Sequence, residues 1–293
     1  MTQGAERTGI ENVLHGQVRK LGEHEVRRVL PAIGQRSVGP FVFLDHMGPQ
    51  TLAPEQGFDV GPHPHIGLAT VTYLFEGTGL HRDSLGSEQI IRPGELNWMS
   101  AGRGIVHSER SPQDFRARGG MLHGLQCWVA LPKEQEESAP TFQHIPRRQI
   151  ETLNVAGVDV SLLAGSAYGS RAAVSVLSPL FLVEAYLCEA EQLVLPDEHA
   201  QRAVYVVSGR VALWGRSFDA GTLLVVAPGP CTLSSLSRSH VMLLGGSPLP
   251  EPRYMRWNFV SSSMSRLDQA EADWRAGRFA VLAHDPGEPI AMP

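Results

Sequence analysis

The sequence is poor in cysteine, in long apolar runs, in excess positive charge and in helical periodicity. Each shortage closes off a class of protein. The three cysteines in 293 residues, Cys127, Cys188 and Cys231, are far apart and odd in number, so no disulfide framework is expected. Cys127 sits in the apolar run 125–131, where a buried, inert thiol is the natural reading and a redox thiol lacks a positive neighbour. No apolar run reaches the roughly 18 residues that span a bilayer. Met1-Thr2-Gln3-Gly4-Ala5-Glu6 has no apolar signal core. The expectation is a cytoplasmic protein with no membrane association. The formal net charge is −5 at pH 7, so there is no basic excess to neutralise phosphates and no direct nucleic-acid partner is expected. Binding to a DNA-binding protein is not excluded by charge.

Turn residues and short apolar runs are abundant. Thirty glycines and 21 prolines punctuate runs rich in Val, Leu, Ile, Phe and Thr, a pattern that predicts an all-β sandwich or barrel. Thr70-Val71-Thr72-Tyr73-Leu74-Phe75 reads as a strand ended by the turn chemistry of residues 76–79. Residues 203–209 repeat the grammar of residues 71–77, and the Gly-led strand 221–227 repeats 94–100. Two copies of one barrel in tandem follow, with domains at 1–140 and 141–293. The charged, proline-bounded stretch 132–140 is the linker candidate. One short C-terminal helix is expected, capped by Ser265, with Leu267, Ala270 and Trp274 on one face and Gly277 as its stop.

The twelve histidines are unevenly spread. His63-Pro64-His65 is followed 42 residues later by His107-Ser108-Glu109. In extended chain, residues two apart share a face, so each pair can aim two ligand atoms at one point. Pro62 and Pro64 fix φ and lower the entropy cost of presenting the imidazoles. Gly102-Arg103-Gly104 supplies a tight turn ahead of the second pair. Three neutral imidazoles and a carboxylate suit one divalent ion: Fe2+, Mn2+, Ni2+, Cu2+ or Zn2+. His46, His81, His123 and Arg103 are candidates for the rim of such a site, with an ordinary structural role as the competing reading.

Gly61-Pro62-His63-Pro64-His65, the strand 70–74, and the glycine-rich block from Pro93-Gly94 through His107-Ser108-Glu109 resemble the pirin family of the cupin superfamily. Residues 41–46 and 123–129 fit the same pattern. The resemblance implies two cupin barrels (double-stranded β-helix, or jelly-roll), with iron, as Fe2+, the usual metal. The family's ligands fall on His63, His65, His107 and Glu109, all in the first barrel. The second barrel shows no H-x-H; His199 and His240 are isolated, and it is expected to lack a metal. Three positions depart from the pattern: Ala69 stands where cupins place a glutamate, Leu68 where an aromatic is expected, and Ile66 where arginine is common.

The resemblance implies two functions. The first is a metal-dependent dioxygenase of the quercetin 2,3-dioxygenase type, acting on a small flavonol-like phenol with Glu109 as catalytic base. The second is a metal- and redox-dependent adaptor that binds a transcription factor or metabolic enzyme as protein partner, without turnover. A metal-binding barrel with another small-molecule role is the third. A monomer is expected.

Overall fold

The structure, a computed structural model, describes residues 9–21, 24–285 and 287–292. It is built almost wholly of short strands, with one six-residue helix, Gln113–Arg118, and one twelve-residue helix near the C-terminus. No helix among the described residues is long and apolar enough to cross a membrane.

The chain divides into two compact units. In the unit that carries the histidine pairs, seven strands form one sheet in the order Thr141–Ile145, Leu96–Ser100, Leu68–Glu76, Gly120–Ala130, Phe41–Leu52, His24–Leu30, Gln17–Leu21. Facing strands Val60–His65, Ile105–Arg110, Gly79–Asp83 and Glu88–Ile91 form a four-stranded sheet in that order. The other unit repeats the strand order of both sheets and adds one two-residue strand, Ser170–Arg171, beside Val158–Ala167. Thr222–Val226 pairs with Gln201–Ser208 as Leu96–Ser100 pairs with Leu68–Glu76.

The repeat read in the sequence extends to individual backbone bonds. Tyr73 lies opposite Leu96, and Tyr205 lies opposite Leu223. The N–H of Gly94 donates to Leu74 O, and the N–H of Gly221 to Val206 O. Both glycines have φ near +80° (77° and 81°), a conformation that L side chains adopt only at a cost.

The units do not follow one cut at residue 140. The unit with the histidine pairs comprises Gln17–Pro31, Pro40–Ile150 and the chain from Leu249 onward, while Ile10–His15 pairs with Thr222–Val226 in the other unit. A sheet edge exposes unpaired backbone groups and takes the strand that satisfies them, wherever it lies in the chain. The expected linker is packed: Glu136 is buried, ion-paired to Arg253 at 2.7 Å, and accepts bonds from Ser261 and Ser262.

The C-terminal helix spans Met264–Arg275 and is capped by Ser263, not Ser265. Ser263 is extended (φ −121°) and its hydroxyl accepts from Arg266 N, whereas Ser265 already lies in the first turn. Leu267 and Ala270 are fully buried with Ile66 and Phe259, and Trp274 packs against them as expected. Gly277 follows with φ +67°.

Candidate metal centre

Strand pairing brings the two histidine pairs together. Val60–His65 runs antiparallel to Ile105–Arg110 with His107 directly opposite His63. The register then shifts, so that Glu109 lies opposite Val60. The extra residue lies in Val60–His65, since Ile105–Arg110 keeps an unbroken register with Gly79–Asp83, and His107 and Glu109 stay on one face. The donor nitrogens of His63, His65 and His107 all lie within 4.8 Å of one another, and all three residues are buried. The ring centroids are 4.3 to 5.0 Å apart.

The protein fixes two of the tautomers. His63 Nδ1 is 2.8 Å from Gly61 O, and His65 Nδ1 is 2.9 Å from Asn258 O. A carbonyl only accepts, so each Nδ1 carries the proton and each Nε2 keeps its lone pair. Among the described residues His107 has no hydrogen-bond partner for either ring nitrogen. Burial pushes His63 down to about 4, with further lowering by the nearby His81. Burial, then the neighbouring imidazoles, holds His65 and His107 well below the usual histidine range. Three neutral imidazoles, one of them with both nitrogens unpartnered among the described residues, fit a divalent transition metal: ligands must be deprotonated, and second partners orient them.

Glu109 stands beside this cluster rather than within it. Its Oε1 accepts from the Thr72 hydroxyl at 3.0 Å, and that hydroxyl lies 2.8 Å from Gln126 Oε1. Burial raises the Glu109 carboxyl, against the lowering effect of His81, Thr72 and Gln126. Glu109 borders two spaces. One is a small chamber of about 40 Å³ shared with Thr72, His81 and Asn97. The other is a cavity of about 400 Å³ onto which His63 and His65 open, within the size range of ligand pockets.

The walls of the larger cavity are aromatic on one side and charged on another. Phe43 and Trp128 stack at 4.0 Å, and Trp128 meets His65 edge-on at 5.1 Å. Arg28 lies over Phe43 at 4.3 Å and forks onto Asp45 through two 2.8 Å bonds. Met255, Trp257 and Ile290 line it from the chain that follows Pro248.

The remaining rim candidates separate. His81 lies 5.3 Å from His107, stacks on Phe142 and bonds Asp83 at 3.0 Å. His46 and His123 face each other, Nε2 to Nε2 at 2.7 Å, and neither lines the cavity. Arg103 is exposed at the glycine turn. In the other unit His199 bonds Ser166 O and His240 bonds Glu184. Ala69 alternates with Thr70 and Thr72 in a regular ladder, so it lies on the face away from the Thr72 hydroxyl and Glu109. Thr72, Gln126 and the Arg28–Asp45 pair escaped the reading of the sequence. Thr72 alone had a signal, as a polar residue within a strand already identified.

The sequence matches the Pirin family over residues 23–129 and the Pirin C-terminal cupin domain over residues 182–280. It is 48% identical over 288 residues to a Pirin-like protein of Caulobacter vibrioides, covering 97% of this chain and 99% of that protein. A Pseudomonas aeruginosa protein that carries a provisional quercetin 2,3-dioxygenase name is 38% identical, over 92% of this chain and 85% of its own length. The crystal structure of quercetin 2,3-dioxygenase from Acinetobacter baumannii superposes with a TM-score of 0.89 at 31% identity, covering 96% of this chain and 94% of that one. With two matched domains, two barrels of one topology and a buried histidine triad in the first, the chain belongs to the pirin family of cupin proteins.

Proposed function

We propose that this protein is a mononuclear metal-dependent dioxygenase acting on a flavonol-like phenol. The observation that carries the reading is the triad of buried, neutral imidazoles, two of which, His63 and His65, open onto a cavity large enough for a small ligand. His63, His65 and His107 would hold the metal, with Glu109 as the fourth ligand and iron as the ion. When bound, the ion supplies a Lewis acid and a template for dioxygen and the phenolate oxygen.

The chain's own residues do the rest. The Phe43–Trp128 stack offers a planar face against which an aromatic ring packs. Met255, Trp257 and Ile290 keep water from the cavity wall. Glu109, detached from the metal, accepts the proton of the substrate hydroxyl at a carboxylate oxygen. Thr72 and Gln126 orient that carboxylate. The names of the Pseudomonas and Acinetobacter proteins support the substrate class.

The test is oxygen consumption by iron-loaded protein with quercetin and related phenols, against a Glu109→Ala control. Turnover reduced about 10²-fold or more in the control is expected, the usual weight of a positioned general base. No flavonol turnover above that control sinks the reading.

A further inference from the structure

We infer that the chain from Leu249 onward completes the metal centre, orienting its ligands and so setting the affinity for the metal. The inference rests on the reading of the triad as a metal site. It adds that the site is unfinished without a segment far away in the sequence.

Three contacts carry it, one to a ligand and two to residues beside ligands. The Asn258 carbonyl accepts the Nδ1–H of His65 across 193 residues of chain, which fixes both the tautomer and the ring plane. The Ile290 N–H donates to Pro62 O at 2.8 Å, beside His63 on the strand that bears both first ligands. Asp285 grips the guanidinium of Arg110, the residue after Glu109, through Nε at 2.6 Å and Nη2 at 2.5 Å. The Asp285 side chain is fully buried in that grip. The segment is itself anchored: the indole N–H of Trp274 donates to Ile290 O at 3.0 Å, and the helix that bears Trp274 is packed on Ile66 and Phe259.

Each contact reaches a ligand, or a residue next to one, from outside the strands that carry the ligands. Partners of this kind change metal affinity by about 10- to 100-fold. Coupling between two binding events is reciprocal. If docking of the segment tightens the metal, the metal holds the segment down. Asp285 is therefore a positioning residue, and Ile290 both closes the cavity and reports on docking.

The experiment uses the full-length protein and Co2+ as the probe, because its visible absorption reports both affinity and coordination geometry. Parent, Asp285→Asn and Ile290→Ala chains are titrated. Hydrogen exchange is followed in the peptide that contains Ile290, with and without Co2+. The expected result is at least a roughly tenfold weaker affinity in Asp285→Asn, with an altered cobalt spectrum. Slower exchange at Ile290 when the parent chain is loaded is also expected. An Asp285→Asn affinity within about twofold of the parent's overturns the inference, as does exchange at Ile290 that ignores the metal. Should Asp285→Asn prove too unstable to titrate, exchange at Ile290 in the parent chain decides the matter, slower exchange with Co2+ supporting the inference and unchanged exchange overturning it. A parent chain that binds no Co2+ overturns the reading of the triad itself, a result distinct from a normal parent with unaffected variants.

Discussion

His107 is fully buried, and neither of its ring nitrogens has a partner among the described residues. A buried polar group left so costs about 1–3 kcal/mol. Its neighbours His63 and His65 each spend one nitrogen on a carbonyl and keep the other free. The same burial that serves metal binding has a consequence for acid stability. In the unfolded chain each imidazole titrates near the ordinary histidine value of 6.5, while in the folded metal-free protein His63 falls to about 4 and the other two lie well below 6.5. Between those values the unfolded state binds more protons. Stability is therefore fully present above pH 6.5 and is lost as the pH falls toward 4. Urea midpoints of the metal-free protein should drop across that window, and replacing His107 with Ala should flatten the dependence. A midpoint that stays level in the unmodified protein contradicts the assignment of neutral imidazoles.

At the scale of elements, one strand pair sets the geometry and glycine turns allow it. Gly67 follows the first histidine strand with φ +66°, and a Cβ there would overlap the carbonyl oxygen of Val260 in the returning strand Phe259–Ser261. Gly67→Ala should destabilise the protein by about 2 kcal/mol or more, from backbone strain and the displaced strand. Thermal denaturation checks this; a melting temperature equal to that of the unmodified chain refutes the packing described. Much at this scale was legible in the sequence. Period-two spacing showed that His63 with His65, and His107 with Glu109, share faces. Glycine and proline punctuation located the strands, and the Tyr73 and Tyr205 segments revealed the repeat. The place of Glu109 outside the imidazole group was not legible, because period-two spacing gives a shared face and no distance. The support of His65 by Asn258 was also invisible: it uses a backbone carbonyl, which no residue type announces. The choice of Ser263 over Ser265 as helix cap turned on backbone conformation alone.

At the scale of the whole molecule, two barrels of one topology have been filled differently. In the first, the paired strands bring His63 opposite His107. In the second, the corresponding strands Gln192–Val194 and Thr232–Ser235 bring Leu193 opposite Leu233, both fully buried. An apolar pair there contributes to the core without the desolvation cost of imidazoles. The sequence placed the histidine pairs in the first half and none in the second, and that division survives in the fold. It could not foresee that the chain's first described strand joins the second barrel while its last 45 residues belong to the first. Strand exchange satisfies sheet edges and leaves no mark in local composition. The central claim is that the first barrel's triad holds a single metal ion. Elemental analysis of natively purified protein, beside a His107→Ala chain of unchanged circular dichroism, tests it most directly. The account predicts one transition-metal ion per chain, iron foremost, lost in the variant. A metal-free parent after metal-supplemented expression, or an equal metal content in both chains, would contradict it.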